Sequence, residues 1–304
     1  MTGAAHDAGA LDRYTAASER AAGRIIDAYS TSFGAACRLL GPRHRTHVRN
    51  VYALVRVADE LVDGATDEAG IPPEQQHLAL SRLEAETGDA IASGYSSNPI
   101  VHAFAHTARA AGIDAGLVRP FFASMRADLP PAECADADPV VRFDERAHRT
   151  YVYGSAEVVG LMCLRVFLRD ATRTPDELTT LEHGARRLGA AFQNVNFLRD
   201  LADDTERLGR SYLSANGRID AEEQQRWVAV IRAQLADAEA AIPLLPRDAR
   251  LAVTSALLLF SRLTDRLART PAAELYERRI RVPAAQKAWL FTRAALDVGR
   301  ERVS

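Results

Sequence analysis

Four aspartates stand in two D-x-x-x-D pairs, Asp59 with Asp63 and Asp200 with Asp204. The second pair closes the stretch from Leu188 to Asp204, which has no proline and keeps its apolar residues at helical spacing. There Gln193, Asn196, Asp200 and Asp204 fall at i, i+3, i+7 and i+11, so one helix face carries two amides and two carboxylates. Phe192, Val195, Leu198 and Leu201 flank that face. In the first stretch Tyr52, Arg56, Asp59 and Asp63 fall at i, i+4, i+7 and i+11 among the apolar Val55, Val57, Leu61 and Val62. Aspartates one turn apart repel by about 0.2–0.5 kcal/mol on an exposed helix, and by more when buried unless a cation joins them. Carboxylate oxygens suit Mg²⁺, which keeps waters and takes phosphate oxygens as further ligands. One such pair is ordinarily a solvated surface. Two of them, on apolar helices and aligned with Gln, Asn, Tyr and Arg, point to a cation and through it to phosphate.

The elements that must position these faces read as helices throughout. Leu11–Ala28, about 44–63, Pro73–Ser93, Pro99–Ala111, Asp114–Ala127, Asp144–Leu168, Pro175–Arg207, Ala221–Ala241, 247–269 and 284–302 carry helical periodicity between Gly and Pro stop signals. Residues 1–10 read as disordered, Asp128–Val141 as a loop, and Leu208–Arg218 as a flap beside the second acidic pair. Period-two alternation is absent over any useful length, so the expectation is one all-α domain over 11–304.

The chain has 304 residues, 47% of them hydrophobic, and a formal net charge of -2, ample for a core and too nearly neutral for a nucleic-acid partner. Lys287 is the only lysine, which reads as coding bias toward arginine. Cys37, Cys134 and Cys163 have neither metal nor disulfide spacing and fit a reducing compartment. The first dozen residues lack a signal-peptide pattern, and the apolar run Leu251–Phe260 is too short to span a bilayer. A cytoplasmic protein, with peripheral membrane contact at most, is expected. His44/His47 and His102/His106 lack the third ligand a zinc site needs, and no Glu-x-x-His pair stands in a suitable place for a di-iron centre.

From about Tyr29 to Lys287 the chain resembles the squalene/phytoene synthase family. The resemblance rests on Ser30-Thr-Ser-Phe33, on Tyr52 to Asp63, on Tyr151-Val-Tyr153 followed by Val159-Gly160-Leu-Met-Cys163, and on Gln193-x-x-Asn196-x-x-Arg199-Asp200-x-x-x-Asp204. Arg210-Ser-Tyr212-Leu213 and Arg279-x-Arg281-Val-Pro283 complete it. It implies an isoprenoid synthase fold around a central apolar cavity. Two allylic diphosphates would bind there, capped by a Mg²⁺ cluster (Mn²⁺ as substitute) on Asp59, Asp63, Asn196, Asp200 and Asp204. Ser30, Phe33, Tyr52, Arg56, Gln193, Arg199, Arg210 and Tyr212 would contact substrate, and Arg56 and Tyr151 would join the four aspartates in catalysis. Phe192 is a further candidate for the apolar lining.

The implied reaction is head-to-head prenyl transfer through a cyclopropyl diphosphate, as a monomer or homodimer. Leu161-Met162-Cys163 favours the phytoene branch, with two geranylgeranyl diphosphates and no NADPH. The rivals are a C30 synthase using farnesyl diphosphate, a terpene cyclase on the same scaffold, and a non-catalytic relative that binds lipid or assembles others. Ser155-Ala156-Glu157 departs from the family's Val-Ala-Gly, and Glu157 is read as a salt-bridged helix residue. Arg278, Arg279 and Arg281 are read as a solvated run, and Tyr276 is the nearest counterpart of an aromatic expected before them.

Overall fold

The computed structural model describes residues 9–30, 32–129, 141–207, 210–214 and 218–300. In chain order the helices are α1 (Ala10–Tyr29), α2 (Ser32–Cys37), α3 (Pro42–Asp63), α4 (Ala65–Glu68), α5 (Pro73–Ser93), α6 (Pro99–Ala111), α7 (Ala115–Asp128), α8 (Glu145–Val152), α9 (Val158–Leu168), α10 (Pro175–Arg199), α11 (Ala221–Ala241), α12 (Arg247–Arg269), α13 (Ala272–Leu275) and α14 (Ala284–Arg300). Their starts follow from local chemistry. Asn98, Asp114 and Asp144 accept backbone N–H bonds as N-caps of α6, α7 and α8, and Thr174 and Asp220 form capping boxes with Glu177 and Glu223. The all-α expectation holds.

Four details differ from the sequence reading. α8 and α9 are joined by a π-helical turn, Tyr153–Glu157, inside what reads as one helix. α10 ends at Arg199, where Asp200 takes φ -106° and ψ 18°, and a second π-helical turn follows at Asp203–Arg207. Asp128 is the last residue of α7 rather than the start of a loop. Part of the expected flap is instead fixed: β1 (Val141–Arg142) and β2 (Arg210–Ser211) pair in parallel, and Arg210 through Ser214 are buried. Residues 1–8, Cys134 and the rest of both expected loops (130–140, 208–209, 215–217) lie outside the described residues.

Two buried clusters organise the helices. One gathers Leu54, Ala58, Val62, Phe104, Phe121, Phe122 and Met162 from α3, α6, α7 and α9. The other gathers Phe197, Leu198, Ile231, Leu257 and Leu267 from α10, α11 and α12. Tight helix crossings join them. A Cβ on Gly154 would strike Ser124 and the Pro120 carbonyl of α7, and one on Gly189 would strike the Ala156 carbonyl, so the first π-helical turn is wedged between α7 and α10. Glu145–Leu168 is long and apolar enough to cross a membrane by composition. Here it is a core segment, packed against α7 and α10.

Candidate active site

The first acidic pair closes α3, and the second follows the end of α10, Asp200 as its C-cap and Asp204 in the π-helical turn beyond it. Arg210 ties the first pair to α7. Its Nη1 donates to Asp63 Oδ1 at 2.5 Å and lies 3.7 Å from Asp128 Oδ1, while Nη2 donates to the carbonyls of Asp128 at 2.5 Å and Val62 at 3.4 Å. The short β1–β2 pairing delivers Arg210 and Tyr212 to this place.

The two D-x-x-x-D pairs share an electrostatic environment. Burial, then Asp63, push Asp59 up to about 8, with Arg56 pulling the other way. Burial, then Asp200 and Asp63, push Asp204 up to about 8. Asp63 therefore acts on a carboxylate of each acidic motif, Asp59 in its own and Asp204 in the other. The break after Arg199 does not disturb the spacing of the second motif, because Asp204 N–H still donates to the Asp200 carbonyl at 2.9 Å.

Arginines take up part of this charge. Arg199 grips Asp200 with Nε and Nη2 at 2.9 and 2.5 Å, and Arg279 reaches the same carboxylate at 2.8 and 3.2 Å. Arg279 thus departs from the solvated run expected of it, whereas Arg278 pairs with Glu274 at 2.7 Å. Arg56 bonds Glu60, lies 4.0 Å from Asp59 and covers the Tyr29 ring at 4.4 Å. Its buried Nε has no hydrogen-bond partner among the described residues. The side chains of Gln193 and Asn196, both half-buried, make no hydrogen bond among the described residues. The structural amide of α10 is their neighbour Asn194, which is 1% exposed and links His148 Nε2 at 3.0 Å to Gln234 at 3.1 Å.

Aromatic surfaces adjoin the acids. Phe33 stacks on Tyr52 at 5.4 Å, and Phe192 on Phe260 at 3.8 Å. Ser30 accepts the Gly34 N–H at 3.1 Å and meets the Tyr52 hydroxyl. Tyr151 and Tyr212 sit in a box with Phe143 and Phe197, each tyrosine 6% exposed, and both donate to Asp128, Tyr151 at 2.5 Å and Tyr212 at 2.6 Å. Asp128 escaped the sequence reading. Its signal was an acid closing the apolar helix Phe121–Met125, at a helix end that disfavours negative charge. Glu157 turns to Arg186 at 2.7 Å, as a salt-bridged helix residue should. Tyr276 accepts the Ile219 N–H at 2.9 Å, beneath Arg218.

Among the described residues no group of three His, Cys, Asp or Glu side chains is gathered closely enough to enclose a metal. The donor set nevertheless fits Mg²⁺. That ion takes one or two carboxylates, fills its remaining positions with waters and phosphate oxygens, and needs no protein cage. Asp59 and Asp204, both pushed up by burial and then by neighbouring carboxylates, are placed to gain from a cation.

The all-α frame, with two D-x-x-x-D motifs that act on each other through Asp63, is that of the isoprenoid synthase class of protein. Within it the chain belongs to the squalene/phytoene synthase family, a family of prenyltransferases, whose model matches residues 26–218. It is similar to phytoene synthase 3, chloroplastic, of Zea mays, with 29% identity over 295 residues, and spans 90% of itself and 64% of that protein's length. It is equally similar to the 15-cis-phytoene synthase of Paracoccus sp., 29% identical over 302 residues and 90% of each chain. Among solved structures, a dehydrosqualene synthase in complex with ligand superposes with a TM-score of 0.68 at 21% identity, covering 95% of this chain and 99% of that one. The squalene synthase HpnC from Alicyclobacillus acidocaldarius gives 0.67 at 18% identity, covering 84% and 94%. These two share the fold.

Proposed function

We propose that this chain condenses two geranylgeranyl diphosphates head to head, through a cyclopropyl diphosphate, into phytoene for carotenoid biosynthesis, releasing diphosphate and using no NADPH. The observation that carries the reading is the action of Asp63 on a carboxylate of each acidic motif, together with the unpartnered Nε of Arg56, 4.0 Å from Asp59, and the open amides of Gln193 and Asn196 on the helix that leads to Asp200. The phytoene synthases among its relatives support the C20 substrate.

Asp59, Asp63, Asn196, Asp200 and Asp204 would hold Mg²⁺ or Mn²⁺, which neutralises charge on a departing diphosphate. Arg56 Nε–H supplies a donor to a phosphate oxygen. Arg199 and Arg279 hold the Asp200 carboxylate in place. The Phe33/Tyr52 and Phe192/Phe260 pairs offer π-faces to an allylic cation and exclude water that would quench it as an alcohol. We place the protein in the cytoplasm, as one helical domain that meets anionic lipid through α14. There Trp289 and Leu296 are 61% and 58% exposed, one helix face apart from each other by two turns, with Arg293 between them. Co-sedimentation with anionic but not zwitterionic vesicles, lost in Trp289→Ala/Leu296→Ala, tests that contact.

The decisive experiment is a product assay of the purified protein with Mg²⁺ and either geranylgeranyl or farnesyl diphosphate, with and without NADPH. Phytoene from the C20 substrate, independent of NADPH, is expected. A C30 hydrocarbon made only from farnesyl diphosphate, a cyclic product of one prenyl unit, or no turnover would each overturn the assignment.

A further inference from the structure

Asp128 is a carboxylate that stability alone would not put where it is. It ends α7, where the helix dipole opposes negative charge, and its side chain is 1% exposed. Asp63 and Asp204 lie near enough to act on it or be acted on by it, adding like charge. Yet every polar atom of the residue's carboxyl and carbonyl is used. Oδ2 accepts the Tyr151 hydroxyl at 2.5 Å and Oδ1 the Tyr212 hydroxyl at 2.6 Å. The carbonyl accepts Arg210 Nη2 at 2.5 Å. These partners come from the end of α8 and from β2 and the residue after it, separated from Asp128 by 23, 84 and 82 residues.

We infer that Asp128 is a positioning residue of the prenyl-transfer site, setting the direction of the Tyr151 and Tyr212 hydroxyls and the seat of Arg210 against Asp63. A phenol has one proton to donate. With both protons committed to Asp128, each phenol oxygen can serve any further group only as an acceptor. Tyr212 does so already, accepting Arg210 Nη1 at 3.4 Å. Tyr151 is therefore presented to the site as a lone-pair donor, suited to a developing carbocation and unable to donate to a diphosphate oxygen. Arg210, held on its other side by Asp128, is kept in register with Asp63 at 2.5 Å. The carboxylate touches no reacting atom. It works through the three side chains that it fixes.

This inference rests on the proposed prenyl transfer, and its test separates the two. Asp128→Asn keeps shape but replaces one acceptor by a donor, so one phenol must reverse its hydrogen bond. We expect kcat with geranylgeranyl diphosphate to fall at least 100-fold, KM to stay within threefold, and Tm to stay within a few degrees. Tyr151→Phe should also lower kcat, and adding Asp128→Asn to it should cost less than the same change costs the wild type, because part of its effect passes through the Tyr151 hydroxyl. A purely structural carboxylate would couple to Tyr151 in Tm and not in kcat. Wild-type kcat in Asp128→Asn, or fold-changes that multiply in the double variant, overturns the inference. Should the Asn chain fail to fold, Tyr151→Phe and Tyr212→Phe carry the test, and full activity in both refutes it. If the wild type turns over neither prenyl diphosphate, the reaction assignment fails. Asp128 is then judged by the crystal structure of Asp128→Asn, in which the Tyr151, Tyr212 or Arg210 side chain must shift, wild-type positions of all three refuting the role.

Discussion

Arg210 is 6% exposed as a residue and lies among carboxylates contributed by α3 and α7, so each side of the arrangement depends on the other. Removing one member of a buried ion pair leaves the rest uncompensated, which costs about 3–5 kcal/mol. Arg210→Met is therefore expected to lower the free energy of unfolding in urea by that amount, and Arg210→Lys to recover only part of it, because an ammonium cannot span the same acceptors. Asp59 behaves in the opposite sense. Its carboxyl is pushed up to about 8 by burial and by Asp63, so its charged form is unfavourable in the metal-free protein. Asp59→Asn should leave Tm at pH 8 unchanged or higher, abolish the stabilisation that added Mg²⁺ gives the wild type, and reduce turnover by about 100-fold or more. Melts with and without Mg²⁺, beside the product assay, read all three. At this scale the sequence was informative about identity and poor about partners. D-x-x-x-D spacing marks the acids, but Arg210 finds Asp63 and Asp128 across 147 and 82 residues. No local spacing encodes such a pairing, so Arg210 reads as a phosphate ligand and Asp128 as loop.

The elements that hold these residues turn π-helical at two places, one just after a site residue and one containing another. The π-helical turn Tyr153–Glu157 follows Tyr151, and the one at Asp203–Arg207 contains Asp204. π-helical turns recur at functional sites because an extra residue re-aims the side chains next to it. The first is braced from outside: Ser124 Oγ donates to the Tyr151 carbonyl at 3.0 Å, and Gly154 packs directly on α7. A methyl group there has nowhere to go. Gly154→Ala is expected to cost about 1–3 kcal/mol from overpacking and to reduce turnover beyond that, by shifting Tyr151 off Asp128. Exposed Gly88→Ala, with nothing near its Cβ, is the control and should not destabilise. Thermal melts and kcat for both variants check this. The helices bounded by Pro or capping residues, such as Pro73–Ser93, Pro99–Ala111 and Ala221–Ala241, are readable to the residue because their stops are local. The π-helical turns are not. One inserted residue barely disturbs a 3.6-residue apolar period, so Asp144–Leu168 and Pro175–Arg207 read as unbroken helices.

The whole molecule fastens its helices with polar ties as well as apolar contact, and these set its response to acid. Asp248 on α12 accepts Arg43 Nε at 2.6 Å and faces His44 Nε2 at 3.1 Å, while its carbonyl accepts the Gly41 N–H at 2.8 Å, fastening the start of α3 to α12. Arg43's hydrogen bond, aided by His44, holds the Asp248 carboxyl down at about 2. Burial lowers His44, His102 and His148, and lowers His47 to about 4. The signs are distinct in their pH windows. A histidine lowered by folding binds its proton more readily when unfolded, so stability falls as pH drops below about 6.5. A lowered aspartate adds stability that is complete above its unfolded value near 3.9 and is lost as pH falls toward its folded one. Between about pH 8 and 4 the lowered histidines cost stability on acidification while Asp59, Asp128 and Asp204, raised by burial, add it, so the two trends oppose each other; below pH 4 the decline as Asp248 is protonated is unopposed. Asp248→Asn should start from a lower Tm at pH 7, follow the wild-type profile above pH 4 and lose most of the decline below it. Melting curves from pH 8 to 3 on both chains decide the matter. A variant whose Tm falls in parallel with the wild type below pH 4 would show that the tie between α3 and α12 does not govern the acid limb.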